Sequence, residues 1–183
     1  MTNLDRFQVY LLSKMTAESL VHEALRSLGV ADGDMPIISR ELAEANHLEE
    51  PLRQADAIDS LIGGGAVERG IELDDPSSAF AGSLRREYTL PLWPDVELVV
   101  NRHPAGYAWG VQFEQRVKPS AQSVSAIHPW HWTEKTLVSI ATTTDIWDRW
   151  SDYFEATLTF AGAPGRYRAR FDLGLLQSFV VEP

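Results

Sequence analysis

The sequence predicts an α+β fold: an N-terminal helical layer, then a mostly antiparallel β-sheet of five to seven strands with one short helix. Three observations predict it. Up to residue 62, apolar side chains recur at spacings of three and four between capping residues, the period of a helix. From residue 84 onward, apolar and polar side chains alternate in short runs separated by turn residues, the period of a strand. Composition divides at the same place. Residues 1–75 hold 15 Asp and Glu against 6 Lys and Arg, a net of −9, whereas all six Trp lie between Trp93 and Trp150. Two subdomains are expected, an acidic helical one over 1–75 and an aromatic-rich antiparallel one over 84–183, together forming one compact unit.

The elements follow in order. Leu4, Phe7, Leu11 and Met15 suit one helix face, although residues 7–12 read equally as a strand. Thr16 is placed to cap a second helix with Leu20, Val21, Ala24, Leu25 and Leu28 on its apolar stripe, and Gly29 to end it in the left-handed conformation. Ser39 caps a short helix reaching about His47. Glu49, Glu50 and Pro51 open another, because acids suit the positive end of the helix dipole and Pro suits the first turn. Leu52, Ala55, Ile58 and Ile62 form its inner face, and Gly63 stops it. The glycine-rich run 63–70 follows a helix rather than a strand and lacks the Lys-Ser/Thr of a phosphate loop, so it reads as a helix stop. A short strand or helical turn over 66–73 and a linker over 74–78 complete the first half.

The second half begins near Arg86. Tyr88, Leu90 and Leu92 alternate, and Pro91 consigns that strand to an edge or bulge. Residues 95–102 and 106–114 make a hairpin: Val96, Leu98 and Val100 share one face, as do Tyr107, Trp109, Val111 and Phe113. Residues 122–127 suggest a short strand, and the β-branched run 136–143 another. Asp145 is placed to cap a helix with Ile146, Trp147, Trp150 and Phe154 on one face. Residues 155–160 and 166–172 form a second hairpin, and 177–181 a last strand.

Several function classes are excluded or disfavoured. The chain has no cysteine, which removes disulfides, thiolate nucleophiles and Cys-ligated metals. No apolar run approaches the roughly 18 residues that a membrane span needs, and the N-terminus lacks a basic start with an apolar centre. A cytoplasmic protein with no membrane contact is expected. Residues 39–70 superficially resemble a winged helix-turn-helix. The would-be reading helix, however, carries Asp56 and Asp59 against Arg53 alone, and duplex binding draws on cationic side chains. No nucleic acid is expected. No nucleophile elbow, His-Glu-x-x-His or Ser-x-x-Lys motif is present.

The densest chemical cluster is HPWHW at 128–132. His128, Trp130, His131 and Trp132, with Trp109, suit contact with a partner or a planar ligand, since Trp offers large area and one donor. A metal there would need a third ligand such as His103, Asp145 or Asp148, and the spacing matches no known metal pattern, so neither metal nor cofactor is called for. The structural alternative is a loop whose indoles plug one end of the sheet. Arg168 and Arg170, with Arg166, share one face of the last hairpin and suit either cross-strand ion pairs or a carboxylate or phosphate ligand. Glu41, Glu44, Glu49, Glu50, Asp56 and Asp59 supply an acidic partner face. The leading expectation is a small acidic protein-binding module without catalysis. It resembles, in composition only, inhibitor or immunity-type proteins that hold a basic partner. The alternative is a small-molecule site, enzymatic or not, lined by Trp and His of the second half. A homodimer through an exposed sheet edge is a third reading.

Overall fold

The computed structural model describes residues 1–64, 66–71, 80–117, 119, 123–150 and 152–182. It is an α+β structure: helices first, then two antiparallel sheets of four strands each, in place of a single sheet of five to seven. Helix α1 (Asn3–Leu12) is closed at its start by a capping box, in which Thr2 Oγ1 accepts from the Asp5 amide at 3.1 Å and Asp5 Oδ2 from the Thr2 amide at 2.8 Å. That box settles the helix-or-strand ambiguity. Residues 7–12 are buried in succession because α1 is surrounded, with other helices and the first sheet packing around it.

Helix α2 (Glu18–Ser27) is not capped by Thr16 as expected; its N-cap is Ala17, and the Thr16 hydroxyl instead donates to Asp172 Oδ2 at 2.7 Å. A long-range carboxylate has outcompeted the local cap. Gly29 ends the helix with φ +69°, as its sequence position requires. Helix α3 (Met35–Asn46) begins before Ser39, fed by a 3-10 turn at Asp32–Asp34 with Pro36 in its first turn. Ser39 is therefore buried mid-helix, where its hydroxyl shares a 2.7 Å hydrogen bond with Ser13. Helix α4 (Pro51–Ile62) spans Pro51 to a left-handed Gly63. Ala55, Ile58 and Leu61 face inward, while Leu52, expected among them, is 68% exposed.

The first sheet is β1 (Val67–Gly70), β2 (Leu84–Thr89), β3 (Val96–Arg102) and β4 (Ala108–Gln115), in that order. Pro91 lies past β2, in the turn to β3, so the strand needs no bulge to accommodate it. Tyr88, Leu98 and Phe113 stand opposite one another across three strands, and this row faces the helices. A bulge sets Asn101 opposite Gly110 but Arg102 opposite Ala108, leaving Trp109 as the extra residue. The expected single face of Tyr107, Trp109, Val111 and Phe113 is thereby broken: Ala108 enters the core and Trp109 leaves it.

The second sheet is β5 (Thr143–Arg149), β6 (Tyr153–Phe160), β7 (Ala163–Asp172) and β8 (Leu175–Val181). Here two expectations exchange places. The stretch expected as a strand over 136–143 is mostly helix α5 (Glu134–Ile140), and the helix expected from Asp145 is strand β5. Thr143 pairs with Thr159 across the ladder, their hydroxyls 2.6 Å apart, and β6 holds the whole segment extended. Of the four apolar residues expected on a helix face, only Phe154 is buried. The short strand expected over 122–127 is a 3-10 turn at Val124–Ala126, with Gln122 and the 74–78 linker outside the described residues.

Two cores result. Helices α1 to α4 and the first sheet share one, so residues on both sides of position 75 pack together. The inner face of the second sheet, α5 and Trp132 make the other. They join at the β7–β8 turn, where Leu173 (φ +50°) and Gly174 (φ +75°) adopt left-handed conformations. The Phe113 amide donates to Leu173 O at 2.7 Å and the Glu134 amide to Gly174 O at 2.8 Å, so one turn is bonded to both β4 and α5.

Candidate functional site

The HPWHW loop is part of this seam. Its backbone brackets Leu176: the Trp130 amide donates to Leu176 O, and the Leu176 amide to Trp132 O, each at 2.9 Å. Trp130, with φ +67°, sets its ring edge-on to Trp93 at 5.7 Å and packs against the first core. Trp132 points the other way and is buried in the second. Gln177 ties the loop down. Its buried Oε1 accepts from Trp130 Nε1 and from the amides of Thr16 and Ala17, each at 3.3 Å. The two indoles thus pack against two different cores. His128 and His131 are left on the surface beside an open groove against the start of α2, with His131 Nδ1 3.1 Å from Asp95 Oδ2. Among the described residues, no three His, Asp or Glu side chains converge as a metal site.

Trp109 is separate from this loop. It is 39% exposed, tilts against Phe80 with ring centroids 5.0 Å apart, and lines a cavity between α1, α4 and β4. The proposed contact residues therefore do not converge on a single pocket.

Five of the six acidic residues meet partners that the sequence did not pair with them. Glu41 faces Arg6 at 3.6 Å, Glu49 faces Lys14 at 3.1 Å, and Glu50 meets His47 at 2.7 Å and Arg53 at 3.5 Å. Asp56 is bridged by Arg102 of β3 at 2.7 Å. Asp59 is turned under the sheet, bonded to Arg86 and to the Tyr88 hydroxyl. Glu44 alone of the six forms no ion pair among the described residues. Among the described residues, other exposed carboxylates without a Lys or Arg partner include Glu18 and Glu23 of α2, Asp34 after it, and Asp148 and Asp152 in the second half.

Arg168 and Arg170 both lie on the outer face of the second sheet, Arg170 over Tyr153 and Arg168 over a residue that the sequence reading placed in a helix. Trp147 is the bulged residue of β5, 59% exposed, yet held by two side-chain contacts. Its Nε1 donates to Thr157 Oγ1 at 2.7 Å, and the Arg168 guanidinium lies 5.3 Å from its ring centroid. Thr157 in turn donates to Glu182 at 2.6 Å, and Arg166 bonds the same carboxylate at 3.0 Å. Glu155 accepts from both Tyr153 and Arg168, and these bonds hold its carboxyl below the usual glutamate range. The same hydrogen bond from Tyr153 to Glu155 raises the phenol. Arg170 covers the Tyr153 ring at 4.8 Å. Beside them Trp150 is 70% exposed. The signal that would have found this face is the Thr-rich start of β5, whose extended backbone sends Trp147 outward.

The other face of the first sheet carries a charged cluster. Arg85 makes a fork to Glu114 at 2.9 and 3.1 Å and a third bond to Glu87 at 2.7 Å. Burial works against ionisation of Glu114, but the bonds and charge of Arg85, aided by Lys135, outweigh it and hold the carboxyl below its usual range. No helix among the described residues is long and apolar enough to cross a membrane. Comparison with known proteins finds no protein-family profile, no curated protein and no solved structure that matches the chain.

Proposed function

We propose that the protein is a protein-binding module acting without catalysis, that its contact face is the outer face and free edge of the second sheet, and that its partner is basic. The observation that supports this most is the posture of Trp147: a largely exposed indole held by Thr157 and Arg168. An exposed Trp ordinarily loses rotamer freedom on binding. One already held by side-chain contacts binds at a smaller entropic cost. Trp, Tyr and Arg are also the residue types that dominate binding hot spots, and here Trp147, Tyr153, Arg168 and Arg170 adjoin. Strand β5 leaves one edge without a strand partner among the described residues, and Ile146 and Trp150 flank it, both exposed. The basic partner follows from the net charge of −10, which speeds encounter with a cation-rich surface. An inhibitor of a basic enzyme would have this combination of long-range charge and a short-range aromatic anchor.

The test is affinity capture with the wild-type chain, Trp147→Ala and Trp150→Ala, at low and high salt. The same protein should be retained by the wild type at low salt, weakened by salt, and lost with Trp147→Ala. Retention indifferent to both salt and Trp147 would refute the reading. Sedimentation at two concentrations separates it from self-association through β5, which would appear as concentration-dependent dimer.

A further inference from the structure

Independently of that face, the structure holds a cavity of about 310 Å³ where α1, α4 and β4 meet the β7–β8 turn. We propose that this cavity is a binding site for a small organic amine with an apolar, planar body. Its size is the lower end of the range for ligand pockets; it corresponds to about ten waters' worth of liquid. Its walls are Tyr10, Leu11, Ile58 and Val111, with Trp109 at the side. Trp109 stands there because of the β4 bulge, which takes it out of the alternation that would have packed it against the core.

The rim sets the charge of the ligand. It carries Lys14, Glu49 and Asp152. Lys14 is already satisfied: its Nζ bonds Glu49 at 3.1 Å and lies 5.1 Å from the centre of the Tyr10 ring. Asp152 is exposed, and its carboxylate makes no hydrogen bond or ion pair among the described residues. One carboxylate is therefore uncompensated at the mouth, beside two aromatic rings that attract cations. An ammonium group would pair with Asp152 while the body of the ligand enters between Tyr10 and Trp109. A carboxylate ligand of the same shape would meet repulsion.

The experiment is calorimetric titration of the full chain with 2-phenylethylamine and tryptamine, against 3-phenylpropionate and 2-phenylethanol as acidic and neutral isosteres. The amines should bind saturably, with Kd of about 1 mM or tighter for ligands of this size, and the acid should not. Asp152→Asn, which changes only an exposed side chain, should weaken the amines by about fivefold, as expected for a partly exposed ion pair, and leave the alcohol unchanged. Absence of saturable amine binding, acid binding equal to amine binding, or an Asp152→Asn variant with wild-type amine affinity would each overturn the proposal. The Trp147 face is read by protein capture and the cavity by amine titration, so the two readings fail separately even though Asp152 directly precedes Tyr153 of that face.

Discussion

Replacing Gly174 by alanine tests whether the two cores depend on their seam. Two costs add. Gly174 sits at φ +75°, which an alanine tolerates at a cost of about 1 kcal/mol. A Cβ built there would also lie 3.1 Å from the carbonyl oxygen of Phe113 and 3.6 Å from Gln112 Cβ. The first of these neighbours is strand backbone, which cannot rotate away. Relief requires the turn to retreat from β4, stretching the 2.7 Å bond from the Phe113 amide to Leu173 O. Overpacking of this kind costs about 1–2 kcal/mol, so Gly174→Ala should lose about 2–3 kcal/mol in all. Gly29→Ala is the control. Its φ is +69°, but nothing lies within 4 Å of the built Cβ, so it bears the backbone cost alone. Urea unfolding followed by Trp fluorescence measures both. With a slope of about 2 kcal/mol/M, the midpoint should fall by roughly 1–1.5 M for Gly174→Ala and by about 0.5 M for Gly29→Ala. Equal shifts would show that the approach of turn to strand contributes nothing, and the seam argument would fail.

Two further outcomes follow from the same contacts. Gln177→Leu deprives the Thr16 and Ala17 amides and Trp130 Nε1 of their shared acceptor; stability should fall by about 2–4 kcal/mol, and a loss under about 1 kcal/mol in urea unfolding would show that those long bonds carry little. Glu114 has a folded pKa below its unfolded one, so its pairing with Arg85 stabilises fully above the ordinary glutamate range and is lost as pH falls through the lower folded value. Glu114→Gln should therefore be less stable by about 1 kcal/mol at pH 7, with the gap closing as pH falls below the ordinary glutamate range; a gap that does not change with pH would refute this assignment.

What the sequence disclosed, it disclosed through local chemistry. Helix α4 was legible at both ends because Pro51 and Gly63 fix its start and stop by backbone constraint alone. The alternation of Val96, Leu98 and Val100 was legible because these three share the side of β3 that faces the helical core, although Val99 on the other side is buried as well. The α5 and β5 exchange was not. Thr142, Thr143 and Thr144 favour extended backbone, but where that strand begins is decided by pairing with β6, which lies further along the chain. Trp109 misled for a related reason: a one-residue bulge reverses the faces, and period-two reading cannot see it. The HPWHW loop was undecidable because the acceptor for Trp130 is Gln177, 47 residues away.

Charge was legible as a sum and misleading as a surface. The net of −9 over residues 1–75 stands whatever the fold, but a partner within a Debye length of about 8 Å responds to local imbalance. Around α3 and α4 that imbalance is small, because Arg6, Lys14 and Arg53 lie among the carboxylates and Arg86 and Arg102 reach them from the sheet. The last two cannot be foreseen by counting, since they come from strands that follow in the chain. Of the carboxylates left over, Glu18 and Glu23 belong to α2, whose N-terminus is bonded to Asp172 and Gln177 of the second sheet. Uncompensated negative charge and the exposed aromatic face are thus carried by elements that are bonded to one another. A seam that kept α2 in place would keep the steering charge in fixed relation to the Trp147 anchor, and that gives the long-range bonds of Thr16 a consequence for binding as well as for stability.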